Sequence, residues 1–278
     1  MRSWLSLVIA TLAAYPLVQT TMAAAQEPSG LLRKASKESL VRVDHSVWSS
    51  LLKAYVRPSA DGINRVNYAA FKQQGHSRLK QYIRAVEGTE LWRLNRSEQF
   101  ALLVNLYNAK TVDIVLDRYP VRSIKEINLG GGLFGAISGG PWKAKVLTIE
   151  LVSLSLDDVE HAILRPSFRD PRVHYAVNCA SIGCPNLQAV AFTGVGLHSQ
   201  LDAAARDFIN HPRGVNVSGG RLIVSSIYQW FSADFGGNAE GVLGHVRRFG
   251  RPELVQQLKQ ATKIDGYQYD WSLNDARD

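Results

Sequence analysis

Asn95-Arg-Ser-Glu-Gln-Phe-Ala-Leu-Leu-Val-Asn-Leu-Tyr-Asn-Ala-Lys-Thr-Val-Asp-Ile-Val-Leu-Asp-Arg-Tyr119 is the longest periodic run in the chain, and Pro120 follows it. Phe100, Leu102, Leu103, Val104, Leu106, Val112, Ile114, Val115 and Leu116 make it apolar on more than one side, which is the pattern of a helix buried around its circumference. Asn95 is placed to cap it and Glu98 lies three residues on, as in a capping box. Two amides interrupt the hydrocarbon. Asn105 and Asn108 lie one turn apart on one side, so both are expected to be buried and paired, either satisfying nearby backbone or holding a site.

Shorter elements flank this helix. Upstream, Val47, Trp48, Leu51, Leu52 and Tyr55 recur at helical spacing after Asp44, and Leu79, Tyr82, Ile83 and Val86 form a second amphipathic helix stopped by Gly88. Val66-Asn67-Tyr68 between them reads as extended. Downstream, the glycines at 130–132 and 139–140 bracket a loop with Leu133 and Phe134 at its tip, a candidate flap. Lys145 to Ile149 reads as a strand, and Ser155 with Asp158 forms a capping box that opens the helix carrying Glu160, His161 and Arg165. Leu197 to Ile209 is amphipathic, residues 215–224 form a hairpin turned by Gly219-Gly220, and Ser226 to Phe231 and Ala239 to Phe249 are helical. Tyr267, Tyr269 and Trp271 alternate with polar residues as a half-buried strand. Many helices with few strands and no βα alternation predict an α+β fold: one globular domain, mostly helical, with a small, mainly antiparallel sheet.

The ends of the chain have their own character. Arg2, the apolar run Leu5 to Val18 and Ala23-Ala24-Ala25 before Gln26 form a secretory signal peptide over 1–25, followed by a polar lead-in over 26–43, the domain over 44–274 and a tail over 275–278. The expected location is periplasmic or secreted, with no stable membrane insertion after signal cleavage. The formal net charge of +8 is scattered rather than gathered in a stripe, so no nucleic-acid partner is expected. The partner class left is a small molecule or peptide.

Asp170-Pro-Arg-Val-His-Tyr-Ala-Val-Asn-Cys-Ala-Ser-Ile-Gly-Cys-Pro-Asn-Leu187 holds both cysteines of the chain. His174 and Asn178 share a face under either the helical or the strand period, while Cys179 does not. Ser181, Gly183 and Pro185 are turn formers. The expectation is therefore a short regular element that delivers His174 and Asn178, then a loop with Cys179 and Cys184. In an oxidising compartment these two favour a disulfide.

Several motifs together resemble the family called domain of unknown function 547. They are Phe100 to Ala109, Ser155 to His161 with Arg165, Asp170 to His174, Asn178-Cys179-Ala180-Ser181 with Gly183-Cys184-Pro185, and Tyr269 to Asn274. The resemblance runs from about Asp44 to Asn274 and implies an exported bacterial member of a family without an established activity, one whose relatives act as portable modules. One departure is Leu103, where the family pattern carries a tryptophan two residues before the asparagine.

Three functions compete. In a thiol-dependent hydrolase or acyltransferase, Cys179 attacks, His174 or His161 is its base, Asn178, Asn105 or Glu160 orients the imidazole, and backbone N–H groups at Ala180-Ser181 hold an oxyanion. Asn108, Ser181 and Arg165 would support substrate or loop. In a binding module of the cell envelope, the cysteines form a structural disulfide and the histidines are structural. In a zinc protein, His161, His174, Cys179 and Cys184 are the four ligands. No cofactor is expected.

Overall fold

The structure is a computed structural model that describes residues 27–32, 35–130 and 140–276. The signal segment and the tip of the glycine-bracketed loop, with Leu133 and Phe134, lie outside the described residues. Among those described, no helix is long and apolar enough to cross a membrane.

The fold is α+β and is organised around α4, Arg96–Arg118. Its buried residues occur on every side, so the packing of neighbours against it stabilises it far more than helix propensity does. The Asn95 side chain accepts from the Glu98 N–H. Glu98 turns away and accepts from the Val43 N–H at 3.4 Å, which fastens the segment leading into the domain. Around α4 pack α1 (Ser46–Tyr55), α2 (Tyr68–Gln74) and α3 (His76–Glu87). The extended reading of residues 66–68 holds for β2 (Asn64–Val66), which pairs antiparallel with β1 (Val56–Pro58). It fails at Tyr68, which begins α2 because Asn67 caps the Ala70 N–H.

The lead-in is docked more firmly than its polarity suggests. Leu31 and Leu32 are buried, Ser36 donates its N–H to the Leu94 carbonyl, and Asn95 Nδ2 donates to the Ser39 carbonyl. At the other end, the Ala276 N–H bonds the Val66 carbonyl, so the residues just after the expected boundary add to the first hairpin.

Three small sheets serve as braces. β3 (Leu147–Ile149) and β4 (Val152–Leu154) form an antiparallel pair before the helix that carries Glu160. β5 (Val215–Ser218) and β6 (Arg221–Ser225) form the expected hairpin, with Gly219 and Gly220 at positive φ, as a two-residue type I′ connection requires. β7 (Gly266–Gln268) then joins β6 in parallel. The expected C-terminal strand therefore stops at Gln268, and Tyr269 and Trp271 leave the sheet. A second apolar cluster unites this sheet with α7 (Leu197–Ile209) and α8 (Ala239–Phe249).

Two histidines, one buried and one half-buried, set an acid limit on the fold. Burial pushes His45, whose Nδ1 lies 2.7 Å from the Tyr82 hydroxyl, and His245 each down to about 4. An unfolded histidine titrates near about 6.5, so over that interval the unfolded chain binds more protons than the folded one. Stability contributed by the two neutral rings is complete above the unfolded value and falls as pH drops toward the folded one. Urea midpoints measured at pH values spanning this window will decline toward acid, and His245→Gln will flatten part of the decline.

Candidate active site

The helix after β4 begins with the expected capping box. Asp158 N–H donates to Ser155 Oγ, and Asp158 Oδ2 accepts from Ser155 N–H. It then widens into a π-helix over Asp158–Leu164, in which the Arg165 N–H reaches back five residues to the Glu160 carbonyl. Such segments recur at functional sites. Here the wider turn sets Asp157, Glu160 and His161 along one cavity. The π-helix runs into α5 (Arg165–Phe168).

The central stretch supplies the opposite wall. Its regular element is a single helical turn, α6 (Val173–Ala176), and Val177 is already extended. The shared-face expectation for His174 and Asn178 fails because the helix ends between them. Asn178 is buried in the loop, where its Oδ1 accepts from the Ala180 N–H at 2.8 Å and its Nδ2 donates to the Pro185 carbonyl at 2.7 Å. It shapes the loop and does not line the cavity. The Ala180 N–H is thereby occupied, which removes it from the expected oxyanion pair. Ala180 itself has φ +60°, a left-handed conformation that marks the sharp turn after Cys179.

Asn108 connects this loop to the central helix. Its Nδ2 donates to the Ala176 carbonyl and its Oδ1 accepts from the Asn178 N–H, both at 2.8 Å. Asn105 makes the same paired contact with one residue, Phe192, through both its carbonyl and its N–H. Both amides are buried and paired, as expected. Asn108 holds the candidate site, whereas Asn105 holds a neighbouring loop.

Cys179 and Cys184 are joined by a disulfide with a Cα separation of 6.2 Å. In this form neither sulfur is a thiolate, so neither a resting nucleophile nor the four-ligand zinc arrangement exists here. The loop is clamped to the C-terminal segment by Ile182 N–H to the Ser272 carbonyl and Gly183 N–H to the Asp270 carbonyl, each at 2.8 Å. A Cβ on Gly183 would come within 2.8 Å of the Asp270 backbone nitrogen, so glycine is needed for this approach. The clamp sets the Tyr269 hydroxyl 3.0 Å from Cys179 Sγ, 3.2 Å from Cys184 Sγ and 3.1 Å from Ser181 Oγ. Burial raises the Tyr269 pKa, which keeps the phenol a donor. Because the disulfide closes so short a loop, Cys179→Ser and Cys184→Ser are each expected to lower stability by about 2 kcal/mol, equally, in urea unfolding.

His174 is buried beside the disulfide loop. Its Nε2 lies 2.7 Å from Asp234 Oδ2, and Phe231 stacks on its ring at 4.3 Å. An ionised carboxylate only accepts, so Nε2 carries the proton and Nδ1 keeps a free lone pair in the neutral ring. Nδ1 is on the side of Glu160, 3.7 Å from its Oε1. The hydrogen bond from His174, and secondarily that from Arg165 Nε at 2.6 Å, hold the Asp234 carboxyl well below the usual carboxylate range. His161 is more exposed and has Arg165 3.2 Å from its Nδ1.

These groups face a cavity of about 200 Å³. Glu160, His161, His174, Cys179 and Cys184 line it, while Asn105, Asn108, Asn178 and Ser181 do not. Arg165 lines an adjoining cavity that shares His161 and includes Asp234. The sequence reading missed Asp234 as the orienter of His174, and it missed Asp157 and Tyr107 as lining residues. Asp234 follows the aromatic cluster Tyr228, Trp230 and Phe231, but nothing in its local pattern announces a partner 60 residues away.

A metal-ligating geometry exists elsewhere among the described residues, at His76, Asp113 and Asp117. Lys80 Nζ lies 2.9 Å from Asp113 and 3.0 Å from Asp117, and Lys110 Nζ lies 2.9 Å from Asp113. Lysine ammonium groups already neutralise these carboxylates.

Residues 91–209 match the family described as Protein of unknown function, DUF547. No curated protein and no solved structure matches the chain. The matched segment contains α4, the π-helix, His174 and both cysteines. The cleft wall formed by Trp230, Tyr269 and Trp271, together with Asp234, lies beyond it.

Proposed function

From the match of residues 91–209 to the DUF547 family, we propose that the chain is an exported thiol-dependent hydrolase or acyltransferase. The disulfide-bonded form is its resting state. The observation that carries this reading is that Cys179 and His174 line one cavity, with Asp234 fixing the His174 tautomer from behind. The pattern of residues 1–25 and the disulfide support export.

In the proposed reaction, an external thiol reductant supplies two electrons and leaves Cys179 and Cys184 as thiols. His174 Nδ1 takes the Cys179 proton, and the thiolate attacks an acyl carbon. A thioester forms as the imidazolium returns the proton to the departing amine or alcohol. Water or a second acceptor then releases the acyl group. Asp234 bonds the far nitrogen of the imidazolium formed along this path, the place of the orienting carboxylate in a triad, and Glu160 adds negative charge on the Nδ1 side. Tyr269 is placed to donate to the Cys179 sulfur.

The test is to incubate the oxidised and the reduced protein with an acylating ester probe and locate the adduct by mass spectrometry. Acylation of Cys179 in the reduced protein alone is expected. Equal labelling of both forms, or labelling at other residues only, contradicts the reading. A non-enzymatic binding module is the second reading, favoured by the disulfide itself, and it predicts no acyl adduct in either form.

A further inference from the structure

The cleft differs in charge and surface from the rest of the molecule. The chain carries a formal net charge of +8. Yet Asp157 and Glu160 line the cleft, and among the described residues no lysine or arginine does. His161, which lines the cleft 3.8 Å from Asp157 Oδ1 and 3.9 Å from Glu160 Oε1, acts on Asp157 electrostatically, and Lys143 does so to a lesser degree without lining the cleft. The same cleft is lined by a chain of aromatic rings. Trp142 meets Trp271 at 5.6 Å, Trp271 meets Trp230 at 5.8 Å, and Trp230 meets Tyr269 at 4.8 Å between ring centroids.

An aromatic face attracts a cation through its quadrupole, and a carboxylate does so through its charge. Low-dielectric walls concentrate that field inside a cleft. The same wall already draws a cation on another side, where Lys125 Nζ lies 5.1 Å from the Trp271 ring centroid. A carboxylate or phosphate ligand would meet two like charges with no lining lysine or arginine to offset them. An apolar ligand would fill the volume but strip water from Asp157 and Glu160 without replacing it. Burial raises the Asp157 pKa, a desolvation cost that a cation beside the carboxylate offsets.

We propose that the cleft recognises a primary ammonium group, seated between the tryptophan wall and the carboxylates of Asp157 and Glu160. The proposal rests on the acyl-transfer reading of the same cleft and names its substrate class: an amine that leaves the acyl group and takes up a proton to become this ammonium, or one that gives its extra proton to a cleft carboxylate before accepting the acyl group. The cavity of about 200 Å³ suits an alkylammonium chain rather than a folded segment.

The test uses the disulfide-bonded protein without turnover, titrated by intrinsic tryptophan fluorescence at low salt. The probes are hexylamine, Nα-acetyl-lysine amide and, as an uncharged control, Nα-acetyl-norleucine amide. At least one amine is expected to bind about tenfold or more tightly than the control, a difference on the scale of a single charged contact, and to weaken as salt rises. Preference for acetyl-lysine amide identifies a lysine side chain as the source, and equal binding of hexylamine identifies a free amine. Asp157→Asn, at the more exposed carboxylate, and Asp157→Asn with Glu160→Gln are expected to remove the preference stepwise, with circular dichroism confirming the fold. If the control binds as well as the amines, if no amine binds, or if a folded Asp157→Asn/Glu160→Gln protein keeps the preference, the proposal is overturned. Failure here alongside reductant-dependent acylation leaves the thiol chemistry standing. Amine binding without acylation after reduction does the reverse.

Discussion

Asn108→Leu is expected to lower the stability of the domain by about 2–5 kcal/mol, because it strands two buried backbone groups at once. The Ala176 carbonyl loses its donor and the Asn178 N–H loses its acceptor, and water has no access to either. Asn108→Asp retains the acceptor and loses the donor, so it falls between the leucine variant and the parent. Urea unfolding at neutral pH measures both. A loss within error for Asn108→Leu would mean that the loop is held without α4, and the link between the central helix and the cleft would have to be withdrawn.

Asp234→Asn is expected to slow alkylation of reduced Cys179 by about 100-fold or more near neutral pH while leaving the fold intact. The replacement amide can donate to Nε2, which moves the ring proton to Nδ1 and removes the lone pair that would take the thiol proton. The same change in a serine triad costs about 10⁴-fold. Arg165 loses its carboxylate partner as well, so a urea curve for the variant must accompany the rate. His174→Ala removes the base outright and is expected to have a similar effect.

Much of this arrangement is written in local sequence patterns. The apolar circumference of residues 95–119 predicts α4 and the burial of both asparagines, the Ser155 and Asp158 pair predicts the cap of the helix that carries Glu160, and Gly219-Gly220 predicts the hairpin turn. The cysteine spacing, with the oxidising compartment expected from the pattern of residues 1–25, predicts the disulfide. What escapes is tertiary. Neither the widening of the Asp158–Leu164 helix nor the end of α6 at Ala176 is encoded in side-chain periodicity, so periodicity alone puts Asn178 with His174 on a face that does not exist. Asp234 reaches His174 from the short helical turn Ser232–Phe235, and Tyr269 reaches the cleft where the chain leaves its strand, and neither placement follows from local periodicity. The alternation of Tyr267, Tyr269 and Trp271 suggests a strand, yet two of those rings leave it to wall the cleft.

The central claim is that Cys179, once reduced, is a thiol activated by His174. The direct measurement is the pH titration of thiolate ultraviolet absorbance in the Cys184→Ala protein, in which Cys179 is the one remaining cysteine. The predicted midpoint lies at or below about 7.5, and His174→Ala moves it up toward the value of about 8.5 for an ordinary thiol. A midpoint at or above about 8.5 that His174→Ala leaves unchanged would contradict the account, because Cys179 would then share the cleft with His174 without being activated by it.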